Sequence, residues 1–193
     1  EEVLEKVFTK TWQWVGDGSL LRGANQTHPF QFMPYALNEP MVLSNDKAEN
    51  TRCLSNVCTH RGNILVHHPG PAQQLRCMYH GRRFNMDGKF AFMPEFKEAQ
   101  DFPRACDHLH EFKLEKWQNF FFTGLEPSFD LQPVLAEMEK RVGFMPIAQF
   151  KHDASLSKDY LINANWALYC DNYLEGFHIP FVHQDLNSTL DYG

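Results

Sequence analysis

A chain of 193 residues with 43% hydrophobic side chains can bury an ordinary core and has room for two small domains, which excludes a disordered tail or a collagen-like rod. Eighteen Lys+Arg against 24 Asp+Glu give a net charge of -6, so the chain offers phosphate backbones no broad cationic face and nucleic acid is not an expected partner. No run approaches the ~18 consecutive apolar residues of a spanning helix. The acidic opening from Glu1 to Lys6 is unlike a secretion signal, and the irregular spacing of Cys53, Cys58, Cys77, Cys106 and Cys170 argues against a disulfide scaffold. A cytoplasmic protein without a membrane partner is expected.

Residues 1–125 read as short strands punctuated by turns. Met41 to Leu43, Thr51 to Val57 and Leu75 to Phe84 are β-rich runs, and Asn85-Met86-Asp87-Gly88 before Phe90 and Phe92 predicts a hairpin with Asp-Gly at its tip. Phe112, Leu114 and Trp117 lead through Gln118-Asn119 into Phe120 to Phe122, a second hairpin. Composition then changes. Asp130 as N-cap, Pro133 in the first turn, a stripe of Val134, Leu135, Met138 and Val142, and Gly143 as terminator predict an amphipathic helix opening a second region, 126–193. A strand is expected around Ile147 to Ile162, then a helix from Asn165 through His178 until Pro180 breaks it. His67 and His68 precede Pro69-Gly70-Pro71 and read as solvated loop residues, His108 and His110 alternate as exposed strand residues would, and Cys53, Cys106 and Cys170 read as small buried hydrophobes. The fold class is α+β.

Two pairs of metal-ligand residues stand out. Cys58-Thr59-His60 and Cys77-Met78-Tyr79-His80 are separated by 16 residues, as when a metal takes four donors from two loops. A zinc site is the plainer alternative, although the common zinc-finger order places both Cys before both His.

The phrases Cys58-Thr59-His60-Arg61-Gly62 and Cys77-Met78-Tyr79-His80-Gly81 resemble the Rieske motif, C-x-H then C-x-x-H. The resemblance implies a 2Fe-2S cluster with Cys58 and Cys77 on one iron and His60 and His80 on the other. Two neutral imidazoles in place of two thiolates raise its potential. Respiratory Rieske proteins carry an extra disulfide-forming Cys in each loop, where this chain has Asn63 and Tyr79. Met78 replaces the family's usual Pro. Ring-hydroxylating oxygenases are the nearer likeness, and the phrase starting at Asn56 is typical of them.

The second region holds Glu175-Gly176-Phe177-His178-Ile179-Pro180-Phe181-Val182-His183. Ferrous oxygenases bind iron through two His and one carboxylate, leaving positions open. On a straight helix His178 and His183 would stand about 140° apart, so Pro180 is expected to supply a break that turns both imidazoles inward. Glu175 and His178, three apart, would share one helix face. A satisfied core His and half of a di-iron bundle are alternatives, but no second E-x-x-H exists.

This stretch resembles the iron motif of Rieske non-heme iron oxygenase α subunits, carboxylate-x2-H-x4-H, whose catalytic domain is a helix-grip (TBP-like) α+β fold. The resemblance implies His178 and His183 as ligands of a mononuclear Fe(II), and Glu175 as the acid that bridges a neighbouring subunit's cluster to the iron. Glu at this position, and the wording Asn172-Tyr173-Leu174-Glu175-Gly176-Phe177-His178, look like the choline, betaine and carnitine branch. Asn165-Trp166 matches a helix-start phrase of the family. The third ligand, an Asp far downstream in the family, is expected beyond Gly193, with Glu175 itself as the alternative ligand. A start without Met and an end at Asp191-Tyr192-Gly193 lead us to expect the front portion of a longer protein. Also implied are a separate NAD(P)H-dependent reductase, with or without a ferredoxin, because no G-x-G-x-x-G fingerprint occurs here; a small organic substrate and O2; and a head-to-tail homotrimer. A Rieske electron-transfer protein without an oxygenase site is the competing reading.

Overall fold

The computed structural model describes residues 2–189. Its contacts divide the chain between Lys151 and His152 into two compact units. The first unit is built on antiparallel sheets. Strands β2 (Gln26–Phe32), β3 (Glu39–Asn45), β4 (Thr51–Ser55), β5 (Gly70–Pro71) and β9 (Glu111–Phe112) form one sheet in the order β5-β2-β3-β4-β9. Strands β1 (Gln13–Asp17), β10 (Leu114–Trp117) and β11 (Phe120–Thr123) form a second, with β11 central, and β6 (Leu75–Arg76), β7 (Arg83–Phe84) and β8 (Phe90–Phe92) a third.

The alternation of side chains along β3 and β4 places the site. Met41, Leu43 and Cys53 point into one buried cluster, with Phe32, Phe112 and Phe121. Their neighbours Val42 and Leu54 point into another, with Leu65, Leu75, Phe84, Met86, Leu109 and the two cysteines Cys58 and Cys77. Successive strand residues face opposite sides, so a central strand buried on both faces joins two cores. Each fully buried Leu or Phe contributes about 1.5–3 kcal/mol, so the floor beneath the two cysteine loops is the well-packed part of the fold.

Both expected hairpins form. The turn at Asn85–Gly88 closes with Gly88 N–H on the Asn85 carbonyl at 2.9 Å, and β10 pairs with β11 from Leu114 opposite Thr123 to Trp117 opposite Phe120. The run from Leu75 to Phe84 is interrupted, because Cys77–Arg82 leave the ladder to form a loop between β6 and β7. The amphipathic helix forms as α2 (Gln132–Val142). Its cap is Leu131 rather than Asp130, whose carboxylate accepts the Gln132 N–H at 3.0 Å. Gly143 ends it in right-handed rather than left-handed conformation, at φ −62. Leu131 and Leu135 pack on Trp117 and Ile147, and the Trp117 indole donates to Glu139 Oε2 at 2.8 Å. The helix therefore packs within the first compact unit, which runs to Lys151.

No strand forms over 147–162; the segment holds short 3-10 turns at Ile147–Gln149 and Ala154–Leu156. A strand needs a ladder partner, and among the described residues none pairs with this backbone. In the second unit α3 spans Trp166–Leu174, followed by the one-turn helices α4 (Ile179–Val182) and α5 (Gln184–Asn187). Asn165 caps α3, its side-chain oxygen accepting the Ala167 N–H at 2.9 Å. Among the described residues, no helix is long and apolar enough to cross a membrane. Residues 1 and 190–193 lie outside the described part, and the expected third ligand lies beyond Gly193.

Candidate metal centres

The two cysteine loops are built alike. In the first, Cys58 N–H donates to the Asn63 carbonyl at 2.8 Å and Gly62 N–H to the Cys58 carbonyl at 3.0 Å. In the second, Cys77 N–H donates to the Arg82 carbonyl at 2.8 Å and Gly81 N–H to the Cys77 carbonyl at 3.0 Å. Each knuckle turns through a glycine four residues after its cysteine, at φ 70 for Gly62 and φ 75 for Gly81, the region where a Cβ is disfavoured. The differing spacings C-x-H and C-x-x-H thus sit on one loop geometry.

The donors are layered. Cys58 and Cys77 are each 2% exposed, within the apolar floor. His60 is half-buried and His80 exposed, their rings 4.8 Å apart at 68°. The Tyr79 ring lies 3.9 Å from that of His80. Burial pushes the Cys58 thiol up, and the neighbouring Cys77 adds to this. Burial also opposes ionisation of Cys77, yet the N–H groups of Tyr79 and His80, with Cys58 and Asn63, hold its thiol below the ordinary value. His60 is held below the ordinary imidazole value by burial and by the charges of His80, Arg61 and Arg82. Its neutral form is the one a metal takes.

Buried sulfur donors inside and imidazoles outside fit a two-iron cluster with one ligand pair on each metal.

Supporting residues come from outside the motif. Asn56, 3% exposed, closes the first loop: its amide donates to the Val66 carbonyl at 2.8 Å and accepts the Val66 N–H at 2.9 Å. Asn63 Nδ2 approaches Cys77 Sγ at 3.8 Å, from one loop to the other. Buried Arg82 forms an ion pair with half-buried Asp107. Nothing in the spacing of Asp107 foretells this partner, since 25 residues separate the two.

His108 and His110 are not strand residues; half-buried His108 accepts the Phe90 N–H through Nδ1 at 2.9 Å, while His110 is exposed. His67 and His68 are exposed. Cys53 is buried as expected, whereas Cys106 and Cys170 are exposed, because a 3-10 turn and an open helix face carry them.

In the second unit Glu175, His178 and His183 come together, though not on one helix. α3 ends at Leu174 and Glu175 is extended. A tight turn follows, in which Glu175 Oε2 accepts the Phe177 N–H at 2.7 Å and Oε1 accepts a hydrogen bond from His178 Nδ1. That bond to His178 is the chief reason the Glu175 carboxyl lies below its ordinary value. His178 and His183 are the N-cap and C-cap of the one-turn helix α4, and their rings approach to 5.2 Å at 76°. Pro180 breaks no helix; it sits in the first turn of α4, where its missing N–H costs nothing. With Nδ1 engaged by a carboxylate, the Nε2 of His178 is the nitrogen left to bind a metal.

Two family models match the chain in turn. The Rieske [2Fe-2S] domain family matches residues 11–103, and the ring hydroxylating alpha subunit (catalytic domain) family matches 146–193. Choline monooxygenase of Beta vulgaris is 29% identical over 98% of this chain and 43% of its own. The oxygenase subunit of carnitine monooxygenase from Escherichia coli K12 is 27% identical over 98% of this chain and 50% of its own. The chain therefore spans about half the length of the curated relatives it matches. Among solved structures, the apo form of the quaternary ammonium Rieske monooxygenase CntA superposes with a TM-score of 0.73 at 25% identity, over 95% of this chain and 53% of that one. Naphthalene 1,2-dioxygenase shares the fold alone, with a TM-score of 0.68 at 23% identity over 97% of this chain and 43% of that one.

Proposed function

We propose, from the premise that this chain belongs to the Rieske ring-hydroxylating oxygenase α subunits, that it acts in the terminal oxygenase component of an O2-dependent hydroxylation. The observation that carries the reading is the presence of two unlike donor sets in one chain: Cys58, His60, Cys77 and His80 in the first unit, Glu175, His178 and His183 in the second.

In this reading Cys58 and Cys77 hold one iron of a 2Fe-2S cluster from within the core, and His60 and His80 hold the other at the surface. His178 and His183 hold a mononuclear Fe(II), with a carboxylate ligand beyond Gly193. When bound, the cluster supplies electrons singly and the mononuclear iron supplies open positions for dioxygen and substrate. Glu175 orients His178 by accepting its Nδ1 proton, and is the bridging acid through which a neighbouring subunit's cluster reaches this iron. A homotrimer and an NAD(P)H-dependent reductase complete the system. A trimethylammonium substrate is favoured over an aromatic one by Glu175 and by the likeness to choline and carnitine monooxygenases.

The test is oxygen uptake by the complete protein with a reductase, across choline, betaine, carnitine and aromatic acids, with iron counted per chain. Three irons and uptake stimulated by a quaternary amine are expected. His178→Ala and His183→Ala should abolish uptake while keeping the cluster signal. Two irons, and no substrate-dependent uptake, would establish the electron carrier instead.

A further inference from the structure

Arg82 carries a fixed positive charge into the core beneath the two cysteine loops. It follows His80 and Gly81 directly, and its carbonyl accepts the Cys77 N–H. The side chain is 3% exposed. Its Nη2 donates to Asp107 Oδ1, and its guanidinium carbon stands 5.7, 5.1 and 5.4 Å from the ring centroids of Phe84, Phe90 and Phe102. Aromatic faces favour a cation, and by excluding water they leave its field little screened.

Asp107 reaches the other loop. Its carbonyl accepts the Thr59 hydroxyl at 3.0 Å, and its Oδ2 accepts the Arg104 N–H at 2.8 Å. One residue thus holds Arg82 of the second loop through its side chain and Thr59 of the first through its main chain. Fold stability alone explains this poorly. Buried ion pairs are commonly no better than apolar packing, and Arg82 Nε is, among the described residues, the one buried side-chain N or O atom without a hydrogen-bond partner. A buried orphan donor on a buried cation calls for a role.

We propose that Arg82, clamped by Asp107, is a positioning residue that raises the reduction potential of the 2Fe-2S cluster by setting a permanent cation beside it. The proposal rests on the reading of Cys58, His60, Cys77 and His80 as cluster ligands. Reduction adds one electron, and so one negative charge, to the cluster; in the titration below that electron comes from dithionite, which is oxidised. A nearby fixed cation favours the more negative state.

The experiment is a potentiometric titration of the full chain, loaded with iron and sulfide, followed by the electron paramagnetic resonance of the reduced cluster. Arg82→Met should lower the midpoint potential, Arg82→Lys should stay near wild type, and Asp107→Asn, which leaves the cation uncompensated, should raise it. Opposite signs for Arg82→Met and Asp107→Asn separate electrostatic tuning from a packing role, which has no reason to follow the sign of the charge. Unmoved potentials, or shifts in the same direction, overturn the proposal while leaving the ligand reading intact. If Arg82→Met fails to hold a cluster, the other two variants decide: a raised potential in Asp107→Asn with Arg82→Lys near wild type supports the proposal, and any other pairing overturns it. Absence of a Rieske signal in the wild type overturns the ligand reading and this proposal together.

Discussion

Glu175 accepts the Nδ1 hydrogen of His178 across a turn between two helices, so carboxylate and imidazole are paired without sharing a helical face. Such a pairing fixes the tautomer and ring orientation of a metal-binding His, and losing it typically costs 10–100-fold in metal affinity or activity. Glu175→Gln keeps the side-chain oxygen as an acceptor and removes the charge. We expect retention of the cluster signal with about a tenfold or greater fall in substrate-dependent oxygen uptake. Unchanged turnover would show that Glu175 neither orients His178 nor bridges to a neighbouring cluster.

The two knuckle glycines should differ in sensitivity. A residue with a Cβ in the left-handed region costs roughly 1–2 kcal/mol, and both sites lie there. A Cβ at Gly62 meets open space, whereas at Gly81 it would stand 3.3 Å from Pro94 Cγ. Gly81→Ala should therefore lose more stability and iron than Gly62→Ala, as read by urea unfolding and by iron content after dialysis.

Acid should attack the Arg82–Asp107 pair. Burial acts to raise the Asp107 carboxyl, but the Arg104 N–H and the Arg82 guanidinium outweigh it and hold the group below its ordinary value. A depressed carboxyl stabilises the fold above its unfolded pKa, about 3.9, and that contribution disappears as pH falls through the lower folded value. Urea midpoints measured from pH 7 downward should fall more steeply for wild type than for Asp107→Asn. Parallel curves would remove the pair from the acid response.

Thiol labelling separates the cysteines by burial. Cys53 is fully buried and its thiol is pushed up to about 12, chiefly by desolvation, which leaves almost no reactive thiolate near neutrality. With the cluster loaded, a thiol reagent should modify Cys106 and Cys170, both exposed, and reach Cys53 only on unfolding. Fast native labelling at Cys53, identified by peptide mapping, would contradict the packing of β4.

Helix α2 is tied to the first unit through Leu135, which is 3% exposed. Leu135→Ala should cost about 2–5 kcal/mol in urea unfolding of that unit, whereas the exposed neighbour Val134→Ala should stay within about 0.5 kcal/mol. Equal effects would detach the helix from Trp117 and Ile147.

The ligand types and their spacing were legible in the chain because those features are local. A thiolate and an imidazole two or three residues apart, followed by a glycine, describe one loop, and Asp87-Gly88 describes one turn. The chain-order pattern also foretold α2 and two hairpins. It erred wherever a partner distant in sequence decides. The expected strand at 147–162 has no ladder partner among the described residues, the helix expected through His178 stops at Leu174, and the exposure of Cys106 follows from a turn that periodicity does not register.

For the centres themselves, the sequence determined which atoms are available: two sulfurs and two imidazoles in one region, two imidazoles and a carboxylate in another. Only the tertiary structure decided their arrangement. The layering of buried Cys beneath outward His comes from Val42 and Leu54 facing the same core as the two loops. The approach of His178 to His183 comes from capping opposite ends of a single turn. The Arg82–Asp107 clamp spans 25 residues and depends on three phenylalanines brought from β7, β8 and the segment after it. Spacing along a chain fixes local geometry because few dihedrals intervene; contacts across many residues are set by how whole elements pack, and packing is a property of the folded body.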